Sequence, residues 1–442
     1  MWFELVLLLA CIVLGIRLGG IGLGAAGGIG LVILVFGFGL PPGSPPTLVL
    51  GMIISVITAL AAMQAAGGLD YLVVLAGRVM RRKPEYISFV APIVTYLLVF
   101  ASGTQHVIYA LMPVVVEVSA KANVRPERPL SISVIAAQSG LIASPISAVT
   151  VAMVGALASF EVNLLSILLI VIPSTFFGLF VGILSIAWRG KPLNEDPIYL
   201  EKVESGTLEL SAVSGDLPPE KLRSARGSIV VFLIAIVAVV AIGIFPDLRP
   251  SYQVFSDGLT EFGQVETGQA IMMIMLAASG LIMLLFKVSP DAAVKNSIMQ
   301  GGIVAVISIL GVSWMGSSFF EGNREAIIGG ISQSIQQMPW LFAGGLFVLS
   351  ILLISQAATV VTLVPVAVAL GLSPAAILGA YPAVNGAFFL PIYGTVIAAV
   401  SFDKTGTTKV GRFLVDHSFM RPGIVTVVAS TLLAMFIAQF MF

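Results

Sequence analysis

The chain has 442 residues, of which 58% are hydrophobic and only 10% charged, with 22 basic and 22 acidic side chains in balance. A soluble domain carries about 25% charged residues, so the composition excludes a soluble globular protein and describes a polytopic membrane protein. The single cysteine, Cys11, lies in an apolar run, which excludes an intrachain disulfide and suggests no thiol metal site.

The first apolar run opens "MWFELVLLLA", with an acid at Glu4 and no basic n-region. It reads as a retained first span rather than a cleaved signal peptide. Spans are predicted at about 2–16, 20–38 and 48–66, against the roughly 20 apolar residues that cross a bilayer. The second carries the glycine run "GGIGLGAAGGIG" (19–30). No strand precedes it, so close helix packing explains it better than a nucleotide fingerprint.

The next apolar stretch, 86–120, is flanked by Arg78, Arg81, Arg82 and Lys83 before it and by Lys121, Arg125 and Arg128 after it. The positive-inside rule places both flanks in the cytoplasm. A segment that enters and leaves by one face is a helical hairpin, and its tip falls at "ASGTQHVIYALMP" (101–113). Glu117, near its cytoplasmic end, is expected to be a solvated or capping acid. A span at 130–158, broken at Ser144-Pro145-Ile146-Ser147, and one at 164–187 complete the first half. A charged, Pro/Gly-rich linker, 189–227, follows.

The second half repeats the order: spans at 228–245, 268–286 and 297–316, a second hairpin at 339–370, a span at 375–400 broken from Asn385 to Tyr393, and a last span at 422–441. Asp403, Lys404, Arg412 and Asp416 make a cytoplasmic charged patch, expected to be solvated. With both termini outside, every Lys and Arg of the 22 except Arg249 and Arg324 falls on the cytoplasmic side. The two hairpins then enter from opposite faces. Pro84 matches Pro339, Ser102 matches Ser355 and Pro113 matches Pro365, at offsets of 255, 253 and 252. Pro145 pairs with Pro391 in the breaks. The predicted fold is all-α, with two inverted repeats (1–188 and 228–442) joined by the linker, each of five transmembrane helices and one re-entrant hairpin. Inverted repeats are a recurring build of secondary transporters, with the substrate between them near the midplane.

Polar backbone at membrane depth is tolerated only where protein or a wet cavity surrounds it. A hairpin tip starts a new helix, whose N-terminus is a ready anion site. Ser102, Gly103 and Thr104 at the first tip, and Ser355, Gln356 and Thr359 at the second, are the candidate substrate ligands. The breaks add Ser144, Pro145 and Ser147, and Asn385, Pro391, Tyr393 and Thr395. No Arg or Lys in any predicted span is available to clamp a carboxylate. Two tips and no fixed cation suit weak, reversible capture of a small dianion. His106 follows Ser102 by four residues and shares its helix face; it is a candidate proton-linked group or an interior histidine. A hydrolase using Ser102 and His106, and a cation/proton exchanger, are the rival readings. The first lacks an acid to orient the imidazole; the second lacks the intramembrane acids that relays use.

Together "AGGLDYL", "RRKPEYISFVAPIVTY", "RPERPLS", "ASPIS", "SQAAT", "LPIYGTVIAAV" and "FDKTGTTKVGRFLVDHSF" resemble the anaerobic C4-dicarboxylate transporter (Dcu) family over essentially the whole chain. The stretch after "LP" lacks an aspartate, which is similar to the DcuA-type branch. The resemblance implies a bacterial inner-membrane carrier for fumarate, succinate, malate and aspartate, working by uptake or fumarate/succinate antiport without a cofactor. Its partners would be small dicarboxylates and the bilayer, with no nucleic acid, and a homodimer is implied by related elevator carriers. In the wider ion-transporter superfamily, Ser-Asn-Thr tips hold carboxylates and sodium. The tips here read Ser-Gly-Thr and Ser-Gln-Ala-Ala-Thr, and coupling to protons or sodium stays open.

Overall fold

In the computed structural model the described residues are 2–18, 20–160, 162–205, 219–256, 259–325, 338, 340–391, 393–410 and 416–442. They are mostly helical, as a bilayer requires of a chain that must satisfy its own backbone groups. The first helices are α1 (Trp2–Leu18), α2 (Gly22–Val32, continued by a π-turn at Ile33–Gly37) and α3 (Thr47–Ala65). Helix α4 (Gly68–Arg82) is amphipathic and basic at its C-terminal end, the pattern of a helix lying in the interface. Then come α5 (Ile87–Ser102) and α6 (Ile108–Lys121), α7 (Glu127–Ala143) and α8 (Ala148–Ala156), α9 (Leu164–Ile186) and the short α10 (Pro197–Glu204).

The second half runs α11 (Pro219–Ile244), a β-hairpin of β1 (Ser251–Ser256) and β2 (Leu259–Gln264), α12 (Thr267–Phe286), α13 (Pro290–Lys295) and α14 (Ser297–Gly322). The strands pair antiparallel, Ser251 opposite Gln264. Helices α15 (Trp340–Leu353) and α16 (Gln356–Ala369) follow. Next is α17 (Pro374–Ala380), continued by a 3-10 turn at Tyr381–Val384, then α18 (Gly394–Phe402) and α19 (Met420–Met441).

Among the described residues eight helical stretches are long and apolar enough to cross a membrane, including 84–102, the first arm of the predicted hairpin. The others on the predicted list fall short because α1 and α2 are short and the chain from 374 to 402 is broken. Two further expectations are corrected. Within the predicted linker 189–227, α10 is helical and α11 already runs from Pro219, so the charged stretch 219–227 is helix. The β-hairpin between α11 and α12 has no counterpart in the sequence reading. Pro339, Arg412 and linker residues 206–218 lie outside the described residues.

Two groups of helices form. In one, α3 lies along α12 and α2 along α14, with α1 and α11 beside them. The glycine run of α2 crosses α14 at Gly311: a Cβ on Gly27 would stand 2.5 Å from the Gly311 carbonyl carbon. In the other, α7 packs on α5 and α9, α9 on α19, and α17 on α19. The arms cross over: α6 packs on α18, and α16 packs on α8.

Ion pairs tie down the C-terminal end of α6. Glu117 accepts from Arg81 at 2.9 Å and from Lys121 at 2.7 Å, so it is a paired acid. Arg125 joins Glu127 at 2.8 Å and the buried Asp196 at 2.5 Å, clipping α10 beneath α7. The charged patch at 403–416 is not a solvated face at its start. Asp403 is 3% exposed and accepts from Thr405 (N–H and hydroxyl), from the Thr407 hydroxyl at 2.9 Å and from the Thr408 N–H at 2.6 Å. Its carboxylate organises the TGTT turn.

Candidate functional site

The stretch 101–107 does interrupt the helix. Gly103, at φ +64°, ends α5 in the left-handed region, and its N–H bonds back to Val99 at 2.8 Å, the usual way a helix is closed by glycine. Thr104 then caps the next turn, accepting from the His106 N–H at 3.3 Å. At 353–356 the same sequence of conformations recurs. Ile354 takes φ +51°, and Ser355 caps α16 by accepting from the Ala358 N–H at 3.2 Å. The conformational equivalents are therefore Gly103 with Ile354, Thr104 with Ser355, and Gln105 with Gln356. All stand 251 residues apart, two fewer than the Ser102–Ser355 match suggests.

The matched glutamines meet. Gln105 Nε2 donates to Gln356 Oε1 at 2.6 Å, and Tyr393 Oη donates to Gln105 Oε1 at 2.8 Å. Gln356 Nε2 donates onward to the Gln138 carbonyl at 3.1 Å and to Asn385 Oδ1. This chain of amides joins both tips to both broken stretches in the interior of the protein.

Beside it lies a cavity of about 260 Å³. Its polar lining is Thr104, Gln105, His106, Tyr109, Ser355, Gln356, Tyr393 and Thr395. Its apolar wall comes from α3 and α14, on the other helix group, and from Leu141, Ile146, Val149 and Val151 around the α7–α8 break. No Asp, Glu, Lys or Arg lines it among the described residues. An anion here would meet hydroxyls, amides and helix N-termini, which act strongly where water is scarce. Among the described residues no group of three or more His, Cys, Asp or Glu side chains could hold a metal ion.

Of the predicted site residues, Gly103, Thr104, Ser355, Gln356, Tyr393, Thr395 and His106 line this cavity. Asn385 stands one hydrogen bond behind it. Ser102 is fully buried, its hydroxyl turned to the Val99 and Thr104 carbonyls. Thr359 is likewise buried and bonds its own helix at Ser355. Ser144, Pro145 and Ser147 form the buried break between α7 and α8, whose Ile146 reaches the cavity instead. Ser147 caps α8 at the Thr150 N–H. Pro391 sits in the turn before Tyr393, outside the lining. The His106 ring stacks on Tyr109, centroids 6.2 Å apart, and its Nε2 stands 2.8 Å from where a Cβ on Gly301 would be. With the Ser102 hydroxyl spent on carbonyls, the two do not form a nucleophile–base pair. Sequence reasoning passed over Gln105, Tyr109, Gln138 and Gly301. Gln105 was findable, since shifting the predicted match by two residues sets it against Gln356.

The whole chain, residues 1–442, matches the family described as anaerobic c4-dicarboxylate membrane transporter. It is 40% identical over 436 residues to the C4-dicarboxylate transporter DcuA of Wolinella succinogenes, covering 99% of this chain and 98% of that one. It is also 40% identical over 438 residues to the anaerobic C4-dicarboxylate transporter DcuB of Escherichia coli O6:H1, covering 97% and 96%. Among solved structures its fold is similar to the YdaH transporter of Alcanivorax borkumensis, with a TM-score of 0.62, 16% identity and coverage of 100% and 98%. It is also similar to MtrF of Neisseria gonorrhoeae, with a TM-score of 0.57, 13% identity and coverage of 92% and 84%.

Proposed function

This chain belongs to the anaerobic C4-dicarboxylate membrane transporter family, is a membrane transporter and not an enzyme, and from that premise we propose that it is a secondary carrier of four-carbon diacids. Fumarate, succinate, malate and aspartate are the substrates of this reading, moved by uptake or by fumarate/succinate antiport with alternating access. The observation that carries it is the Gln105–Gln356 bond, which brings two matched tips together beside a cavity that is polar but uncharged.

The reading includes two inverted repeats with re-entrant hairpins. The reciprocal packing supports it: α3 on α12 answers α2 on α14, and α6 on α18 answers α16 on α8. So do the repeated left-handed residue and cap at each tip. The cavity lies between the tips and the α3/α14 pair, so sliding one helix group against the other would expose it to each side in turn. On this reading both termini face the periplasm, and related elevator carriers extend the proposal to a homodimer. A lining without acids weighs against a cation/proton exchanger. Coupling to sodium or protons is for measurement.

Counterflow tests it. Proteoliposomes preloaded with unlabelled fumarate take up labelled succinate, with and without a sodium gradient. Uptake that depends on internal fumarate is expected. Absence of counterflow with every C4 diacid, in protein shown to be folded, would overturn the reading.

A further inference from the structure

The carrier reading offers a diacid two equivalent helix ends at the tips. The capping geometry divides the helix ends otherwise. At three N-termini around the site a hydroxyl of the chain caps one first-turn N–H: Thr104 accepts from the His106 N–H, Ser147 from the Thr150 N–H, and Ser355 from the Ala358 N–H. Each of these helix ends carries a side-chain cap. Helix α18 is different. Its N-cap, Tyr393, makes no side-chain cap bond, and its hydroxyl donates to Gln105 instead. The Val396 N–H bonds the Tyr393 carbonyl at 2.9 Å; the Gly394 and Thr395 N–H groups ahead of it have no intrahelical acceptor to reach, and no side chain caps them.

A second observation points to a ligand at the same place. Thr395, one residue inside α18, is 3% exposed and lines the cavity, yet its hydroxyl has no hydrogen-bond partner. Buried polar groups are almost always paired, so an exception calls for an explanation. The Tyr109 hydroxyl also converges here, 2.8 Å from where a Cβ on Gly394 would stand. A residue larger than glycine at 394 would push that hydroxyl away.

We propose that one carboxylate of the carried diacid docks at the N-terminus of α18, on the Thr395 hydroxyl, the Gly394 and Thr395 N–H groups and the Tyr109 hydroxyl. This deepens the carrier reading and rests on it. The site is then asymmetric. One end of the substrate meets a helix dipole with uncapped donors. The other meets the tips as neutral amides, where Gln105 Nε2 has one N–H beyond the one given to Gln356. Thr395 selects for a carboxylate at its end of the substrate, and Gln105 reads the second.

The test combines variants with a truncated ligand. Binding of labelled succinate to the purified full chain is measured, and butyrate, the same chain with one carboxylate, competes against it. A hydrogen bond to a charged group is strong enough that Thr395→Val should weaken succinate roughly tenfold or more. Butyrate should weaken by the same factor, and Thr395→Ser should restore both. Gln105→Ala should weaken succinate but leave butyrate nearly unchanged. Thr395→Val with less than a threefold loss, or a loss for succinate alone, overturns the proposal. If the valine variant fails to fold, Tyr109→Phe takes its place, with the same equal loss for both ligands expected. A native chain that binds no C4 diacid at all would instead bring down the carrier reading itself.

Discussion

Gln105 Nε2 donates to Gln356 Oε1 across 2.6 Å, joining residues 251 positions apart, 8% and 5% exposed. Each amide is the other's partner, and removing one leaves a buried polar group unpaired at a cost of about 1–3 kcal/mol. Gln105→Leu and Gln356→Leu should each lower the thermal midpoint. The double variant should cost less than the sum of the two, because the second change removes a group already orphaned. Losses that simply add would mean that the two amides do not depend on each other.

The two left-handed residues that shape the tips make an unequal pair. Gly103 takes φ +64° freely, while Ile354 takes φ +51° with a β-branched side chain. The left-handed region costs an L-residue about 1–2 kcal/mol. Ile354→Gly should therefore raise the thermal midpoint, by the equivalent of about 1 kcal/mol once the added chain entropy of glycine is deducted. Gly103→Ala should lower it, since its Cβ would also stand 2.9 Å from Ile146 Cγ1. A lower midpoint in Ile354→Gly would show that the side chain's contacts outweigh the strain.

Much of this fold is legible because a bilayer simplifies the code. Long apolar runs mark the helices, and the interruptions at 102–107 and 385–393 stand out from apolar surroundings. What stays hidden turns on conformation. Matching Ser102 to Ser355 follows residue identity, but glycine and isoleucine do the same conformational work at 103 and 354, and no residue scale equates them. The register slips by two, and Gln105 loses its partner. Asp403 misleads for a related reason. Its charge predicts exposure, whereas the threonines that bury it contribute only hydroxyls and turn geometry. Thr395 and Tyr393 are visible as polar residues near a proline, but which helix end lacks a cap is a property of the folded backbone alone.

The glycines of α2 separate into two kinds. Gly24 and Gly27 face α14 at Ile307 and Gly311, where a methyl group would run into backbone. Gly28, on the same helix, has nothing within 4 Å of its Cβ position. Gly27→Ala should sharply reduce the yield of folded protein, because close backbone approach is what holds such a crossing together. Gly28→Ala should be neutral or slightly stabilising, alanine being the better helix former by about 1 kcal/mol. Size-exclusion profiles and thermal midpoints of the pair decide it: equal behaviour would remove the crossing as the reason for the glycine run.

His417 links the loop ahead of α19 to the broken stretch that leads into α18. Its Nε2 faces the Phe389 carbonyl at 3.1 Å, and its Nδ1 accepts from the Phe419 N–H at 3.3 Å. A neutral ring with its proton on Nε2 satisfies both contacts; a second proton would set Nδ1 against an N–H. Burial pushes its pKa below the ordinary 6.5, outweighing the opposite pull of the Phe389 carbonyl and Asp416. The unfolded chain therefore binds this proton more readily than the folded one. Stability follows that difference: it is fully present above about pH 6.5 and is lost as the pH falls through the window below. The thermal midpoint should drop between about pH 7.5 and pH 5.5, and His417→Gln, which can still donate to Phe389, should flatten that part of the profile. Equal slopes in the two proteins would assign the acid sensitivity to other groups.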